Sequence, residues 1–139
     1  MTKPVGMWAE LGRLRPGTPQ PSIFDFVQAR PLPDADRVAD YLRGGHVLID
    51  VMDIQADVFA PEMKLMNGPS IATDGEYYWR LDLAHYVGRR NLTLPQDFLA
   101  EIRHRHYIVP DVDEATLERI TVEVHPLLFW GSGSSSSPE

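Results

Sequence analysis

The stretch IATDGEYYWR, residues 71–80, constrains the fold most, because an Asp-Gly pair sits between two apolar runs. Asp-Gly is a favoured two-residue hairpin loop of type I′, in which both central positions need φ > 0. The spacing predicts that Ser70–Thr73 pairs antiparallel with Glu76–Trp79. Thr73 then faces Glu76, Ala72 faces Tyr77, Ile71 faces Tyr78 and Ser70 faces Trp79. Side chains alternate along a strand, so Tyr78 shares a face with Ile71 while Tyr77 and Trp79 point the other way. Two outcomes follow. Either helices cover both faces and all three aromatics are core, or one face is a recognition surface with Tyr77 or Tyr78 as its anchor.

The rest of the chain supplies elements to pack on this hairpin. Residues 1–21 are rich in Pro and Gly and read as an arm, with a short helix around Trp8–Leu14. Ser22 and Asp25 resemble a capping box that opens a short helix through IFDFVQ. Asp34 caps ADRVADYLR, whose Val38, Tyr41 and Leu42 fall on one face, and Gly44 and Gly45 stop it. HVLIDV reads as a buried strand. The segment MDIQADVFAPEMKLMNGPS is ambiguous between strand and loop. LDLAHYVGRR and PQDFLAEIRHRH read as helices with core faces at Leu83, Tyr86, Val87 and at Phe98, Leu99, Ile102. Asp113 caps a short helix, and ITVEV alternates as a final strand with Ile120, Val122 and Val124 on one side. The expectation is a single small α+β domain over residues 22–130, a short, mainly antiparallel sheet with helices packed on it. Residues 131–139, GSGSSSSPE, read as a flexible Gly/Ser tail or an expression remnant and carry no function.

Composition removes whole classes of chemistry. The 139 residues include no cysteine, so there is no disulfide framework, thiol nucleophile or Cys-bound zinc. No run reaches the roughly 20 apolar residues of a membrane span, and the N-terminus lacks an apolar signal core. A cytoplasmic protein is expected. The net charge of −7 is uneven: residues 46–79 hold six acids and one base, and residues 111–139 repeat that ratio. Such a chain repels nucleic acid and attracts basic partners.

The motifs for catalysis are weak. His104 and His106 lie about 200° apart on a helix and cannot share an ion there. His46, Asp50 and Asp53 make H-x-x-x-D-x-x-D, but on a strand only His46 and Asp50 share a face. Ser22 and Ser70 lie in no nucleophile elbow, and no phosphate-binding glycine loop occurs. Arg89, Arg90, Arg103 and Arg105 could form a basic patch, with Asp97 and Glu101 as partners on the same helix. No catalytic residue, cofactor or metal site is expected from these patterns.

The pattern Asp74-Gly75, Trp79, Asp82-Leu83, Tyr86-Val87, then Leu94-Pro95 and Phe98 resembles small bacterial domains. Some of these sit beside polymorphic toxin genes as immunity proteins. The resemblance covers about 25 of the 139 residues and brings no active site with it. It implies a non-enzymatic binding protein that occludes a basic toxin domain through an acidic surface. The expected contact face is Asp50, Asp53, Asp57, Glu62, Asp74 and Glu76, with Tyr77 and Tyr78. The alternative is a small enzyme or ligand-binding domain with His46, Asp50 and His85 converging in a pocket.

Overall fold

In the computed structural model, which describes residues 1–130, the hairpin turns one residue later than a type I′ loop at Asp74-Gly75 requires. Thr73 lies opposite Tyr78, Ala72 opposite Trp79 and Ile71 opposite Arg80. The two-residue loop is Gly75-Glu76, closed by Asp74 N donating to the Tyr77 carbonyl at 3.2 Å. Only Gly75 has positive φ, +100°, as in type II′ loops, which place Gly at the first central position. The Asp74 carboxylate accounts for the shift: it accepts from the backbone N–H groups of Glu76 and Tyr77 at 2.9 and 2.8 Å. Moving the turn by one residue moves each cross-strand partner by two, so every side chain keeps its expected face.

The elements in chain order are β1 (Lys3–Val5), a 3-10 turn (Ile23–Phe26), α1 (Ala35–Arg43), β2 (His46–Ile49), β3 (Ile54–Ala56), β4 (Lys64–Met66), β5 (Ile71–Thr73), β6 (Tyr77–Arg80), α2 (Leu83–Arg89), α3 (Gln96–His104) and α4 (Glu114–Leu128). A four-stranded sheet runs β1-β6-β5-β2, and β3-β4 form a separate two-stranded ribbon. All pairings are antiparallel except β1 with β6. This is a single small α+β domain with a mostly antiparallel sheet.

Both sheet faces are covered. Tyr77, Trp79 and Ala72 join Tyr41, Leu42, Phe98 and Leu83 in the larger core. Phe98 holds this aromatic cluster together, with ring centroids 4.6 Å from Tyr77 and 5.5 Å from Trp79. The indole of Trp79 donates to the Leu42 carbonyl at 3.0 Å. On the opposite face Tyr78 and Ile71 pack with Met7, Leu14, Ile120 and Val124. All three aromatics of the opening motif are core.

Further expectations change. Residues 1–21 are woven into the domain: β1 lengthens the sheet, and Val5, Met7, Trp8 and Leu14 are buried. No helix forms over Trp8–Leu14; the segment is a turn, pinned by Gln20, whose amide bonds Leu14 N, the Met7 carbonyl and the Gly12 carbonyl. ITVEV is not a strand but the middle of α4. Asp113 caps that helix by accepting from Thr116 N at 2.8 Å. Leu117, Ile120, Val124 and Leu128 then form a stripe at helical spacing that outweighs the local β-branched alternation. Val122, which alternation would have buried, is 74 % exposed. HVLI is a strand, but an edge strand with Val47 exposed rather than one buried on both faces. The tail lies outside the described residues.

Candidate recognition surface

The eight residues expected to meet a partner divide evenly between interior and surface. Asp50, Asp53, Glu62 and Glu76 are exposed, whereas Asp57, Asp74, Tyr77 and Tyr78 are buried. The two buried acids are structural hubs. A carboxylate leaves water only when hydrogen bonds and charge replace its hydration, and each of these finds several partners.

Asp57, 1 % exposed, is held in the turn between β3 and β4. Its Oδ1 accepts from Phe59 N at 2.7 Å and Ala60 N at 3.2 Å. Its Oδ2 meets His85 Nε2 at 2.6 Å and accepts from Arg90 Nη2 at 2.9 Å. Burial pushes this carboxyl up, but the bonds from His85 and Arg90 outweigh burial and leave it below the ordinary aspartate range. The effect is to clamp the β3-β4 turn onto α2. Asp74, 2 % exposed, accepts from the Tyr41 hydroxyl at 2.7 Å and Arg105 Nη1 at 2.9 Å besides its two turn amides. Arg105 also pairs with Glu76 and Glu101. Burial and the bond to Asp74 raise the Tyr41 phenol above its usual range.

The expected basic patch is mostly consumed in the same way. Arg90 binds Asp57, Arg105 binds Asp74, and Arg103 binds Asp34 in a two-pronged contact at 2.9 and 3.1 Å. Asp34 therefore heads α1 without capping it by side chain. Arg89, exposed like Arg103, is the one of the four with no such acid among the described residues.

His46, Asp50 and His85 do not converge. His46 begins β2 and bonds the Pro110 carbonyl at 2.9 Å, while Asp50 follows the far end of that strand and accepts from Ser70 Oγ at 3.2 Å. His85, on α2, is committed to Asp57. Among the described residues no group of three or more His, Asp or Glu is arranged to hold a metal ion.

What remains exposed has a definite shape. In the β3-β4 ribbon Ile54 lies opposite Met66, Gln55 opposite Leu65 and Ala56 opposite Lys64. Leu65 turns toward the core, so the alternate positions Ile54 and Met66 face outward together. They are 60 % and 73 % exposed, and Met52, just before the ribbon, is 85 % exposed. Asp50, Asp53 and Glu62 are exposed on the same segment. Asp53 is fixed by accepting from Ile54 N at 2.9 Å and Gln55 Nε2 at 3.2 Å. Residues 50–66 thus expose three large apolar side chains and three acids, and thioethers adapt to a partner's shape at little cost. Sequence reading missed the apolar half because M-D-I-Q and K-L-M could not be placed as strands. The period-two spacing of Met52 with Ile54, and of Lys64 with Met66, was the available signal. No family model matches the chain, and neither the curated proteins nor the solved structures searched contain a match.

Proposed function

We propose that this domain is a non-enzymatic binding protein of immunity type, which docks a basic protein partner, such as a toxin domain, on its β3-β4 ribbon. The observation that carries the reading is the exposure of Met52, Ile54 and Met66, the last two opposite each other on the ribbon, in a segment that also exposes Asp50, Asp53 and Glu62. These three apolar side chains are 85 %, 60 % and 73 % exposed and leave most of their apolar surface open to a partner. On the ribbon and the segment leading into it they supply contact area, and the acids exposed on the same segment steer a basic partner and set its orientation. Met and aromatic residues are enriched where interfaces desolvate fully. The ribbon is also rigidly presented, because the Asp57 clamp ties its turn to α2, and a preorganised surface loses less entropy on binding.

The test is quantitative capture from lysate of the source cells, comparing the wild type with Met52→Ser/Ile54→Ser/Met66→Ser. The reading expects a basic protein bound by the wild type and lost by the variant, with both showing the same melting temperature. Retention of the same partner by the folded variant would move the contact elsewhere.

A further inference from the structure

A second surface has the opposite charge. A cleft of about 490 Å³ opens between α1, α2 and β4 and is lined by Arg43, Lys64, Arg89, His85, Leu81 and Asp82, among others. Three of the chain's 13 Lys and Arg residues thus line one concavity of a protein whose net charge is −7. None of the three is locked in a buried ion pair. Arg43 holds Asp40 across one helical turn in an exposed pair, Lys64 donates to the Pro61 carbonyl at the surface, and Arg89 is exposed. Exposed pairs of this kind are worth little and are readily exchanged. The single carboxylate in the wall, Asp82, is already satisfied by Arg80, which reaches it with Nε at 3.1 Å and Nη2 at 2.8 Å. His85 has Nε2 on Asp57, and its Nδ1 has no partner among the described residues. Leu65, Leu81, Ala84 and Met66 supply apolar wall between the charges.

We propose that this cleft binds a small phosphate monoester, its dianion held by Arg43, Lys64 and Arg89 and its organic body against Leu65, Leu81 and Ala84. The volume falls within the range of small-molecule sites, which combine apolar lining with a few placed polar groups. Arginine matches phosphate with its planar donor fork, and lysine adds a point charge. Lys64 and Met66 belong to β4 of the ribbon, whereas Arg43 and Arg89 lie outside it, so the Arg43/Arg89 double variant tests the cleft apart from the partner-binding reading.

Calorimetric titration with phenyl phosphate, inorganic phosphate and phenol tests it, on the wild type, on Arg43→Ala/Arg89→Ala and on Arg30→Ala. Arg30 is an exposed arginine away from the cleft. Phenyl phosphate should bind the wild type saturably and more tightly than inorganic phosphate, and phenol more weakly still. The double variant, with an unchanged melting curve, should lose about tenfold or more in affinity, as expected for charge-assisted hydrogen bonds. Arg30→Ala should bind as the wild type does. Absence of saturable binding, phenol binding as tightly as its phosphate, or an equal loss in Arg30→Ala would each overturn the assignment. Inorganic phosphate binding as tightly as phenyl phosphate would remove the role of the apolar wall.

Discussion

Asp57 and Asp74 show how a residue's type misleads when its partners lie far along the chain. Both read as members of an exposed acidic block, yet each serves as the buried acceptor for a distant arginine, 33 and 31 positions away. Nothing local marks their arginine partners. The hint at Asp74 was its place in the turn, and at Asp57 the spare arginines of the helices. Their energetics follow from burial. Asp74→Asn keeps the shape but leaves Arg105 and the Tyr41 hydroxyl facing a neutral amide, and should cost about 3 kcal/mol in urea unfolding. Gly75→Val should cost about 1–2 kcal/mol, because φ is +100° and a Cβ there would sit 3.0 Å from Val112 Cγ2. Asp34 sets an acid limit. The Arg103 guanidinium and the Tyr107 hydroxyl lower its carboxyl from 3.8 to about 2. A lowered carboxyl stabilises the fold fully above the unfolded value and loses that stabilisation as pH falls through the folded one. Discounted for the 41 % exposure of the Arg103 side chain, the pair contributes about 1–2 kcal/mol. Asp34→Asn should lose this at neutral pH and lose correspondingly less than the wild type on acidification from about pH 4 to 2.

Elements were legible where one period ran uninterrupted. The amphipathic faces of α1, α2 and α3 were each readable from three apolar positions, and those nine residues are buried. The same rule failed for α4, because ITVEV alternates over five residues while the helical stripe spans Leu117 to Leu128. The longer pattern won, helped by the Asp113 cap. β1 was illegible for a different reason. Three residues between Thr2 and Gly6 carry no periodicity, and their pairing with β6 is a contact across more than 70 positions. The N-terminal segment is therefore the element whose importance the sequence hides most. Trp8→Ala should cost about 3–5 kcal/mol, as large aromatic truncations in cores do. Removing residues 1–8 deletes Val5, Met7 and Trp8 with a sheet strand, and should abolish the cooperative melting transition. A truncated chain that melts like the wild type would show that the segment only covers a finished core.

At the scale of the whole molecule, charge is sorted more finely than the −7 total suggests. The buried acids Asp57, Asp74 and Asp82 each pair with an arginine, Arg90, Arg105 and Arg80, while Asp50, Asp53 and Glu62 stay exposed around the ribbon and Arg43, Lys64 and Arg89 line the cleft. Among the described residues no helix is long and apolar enough to cross a membrane. The sequence shows six acids against one base between residues 46 and 79 but not which of them stay exposed, since exposure is decided by tertiary pairing. Reversing charge at Asp57 would place a cation beside His85 and Arg90 and unfold the turn, so it cannot report on binding. Asp50, Asp53 and Glu62 can, because surface substitutions usually change stability by about 0.5 kcal/mol or less. The direct test of the proposed ribbon interface is the association rate of Asp50→Lys/Asp53→Lys/Glu62→Lys with the captured partner, at low and moderate salt, beside a melting curve. The account predicts an unchanged melting temperature, slower association at low salt, and loss or reversal of the salt-induced slowing shown by the wild type. Equal rates for variant and wild type at both salt levels would contradict it.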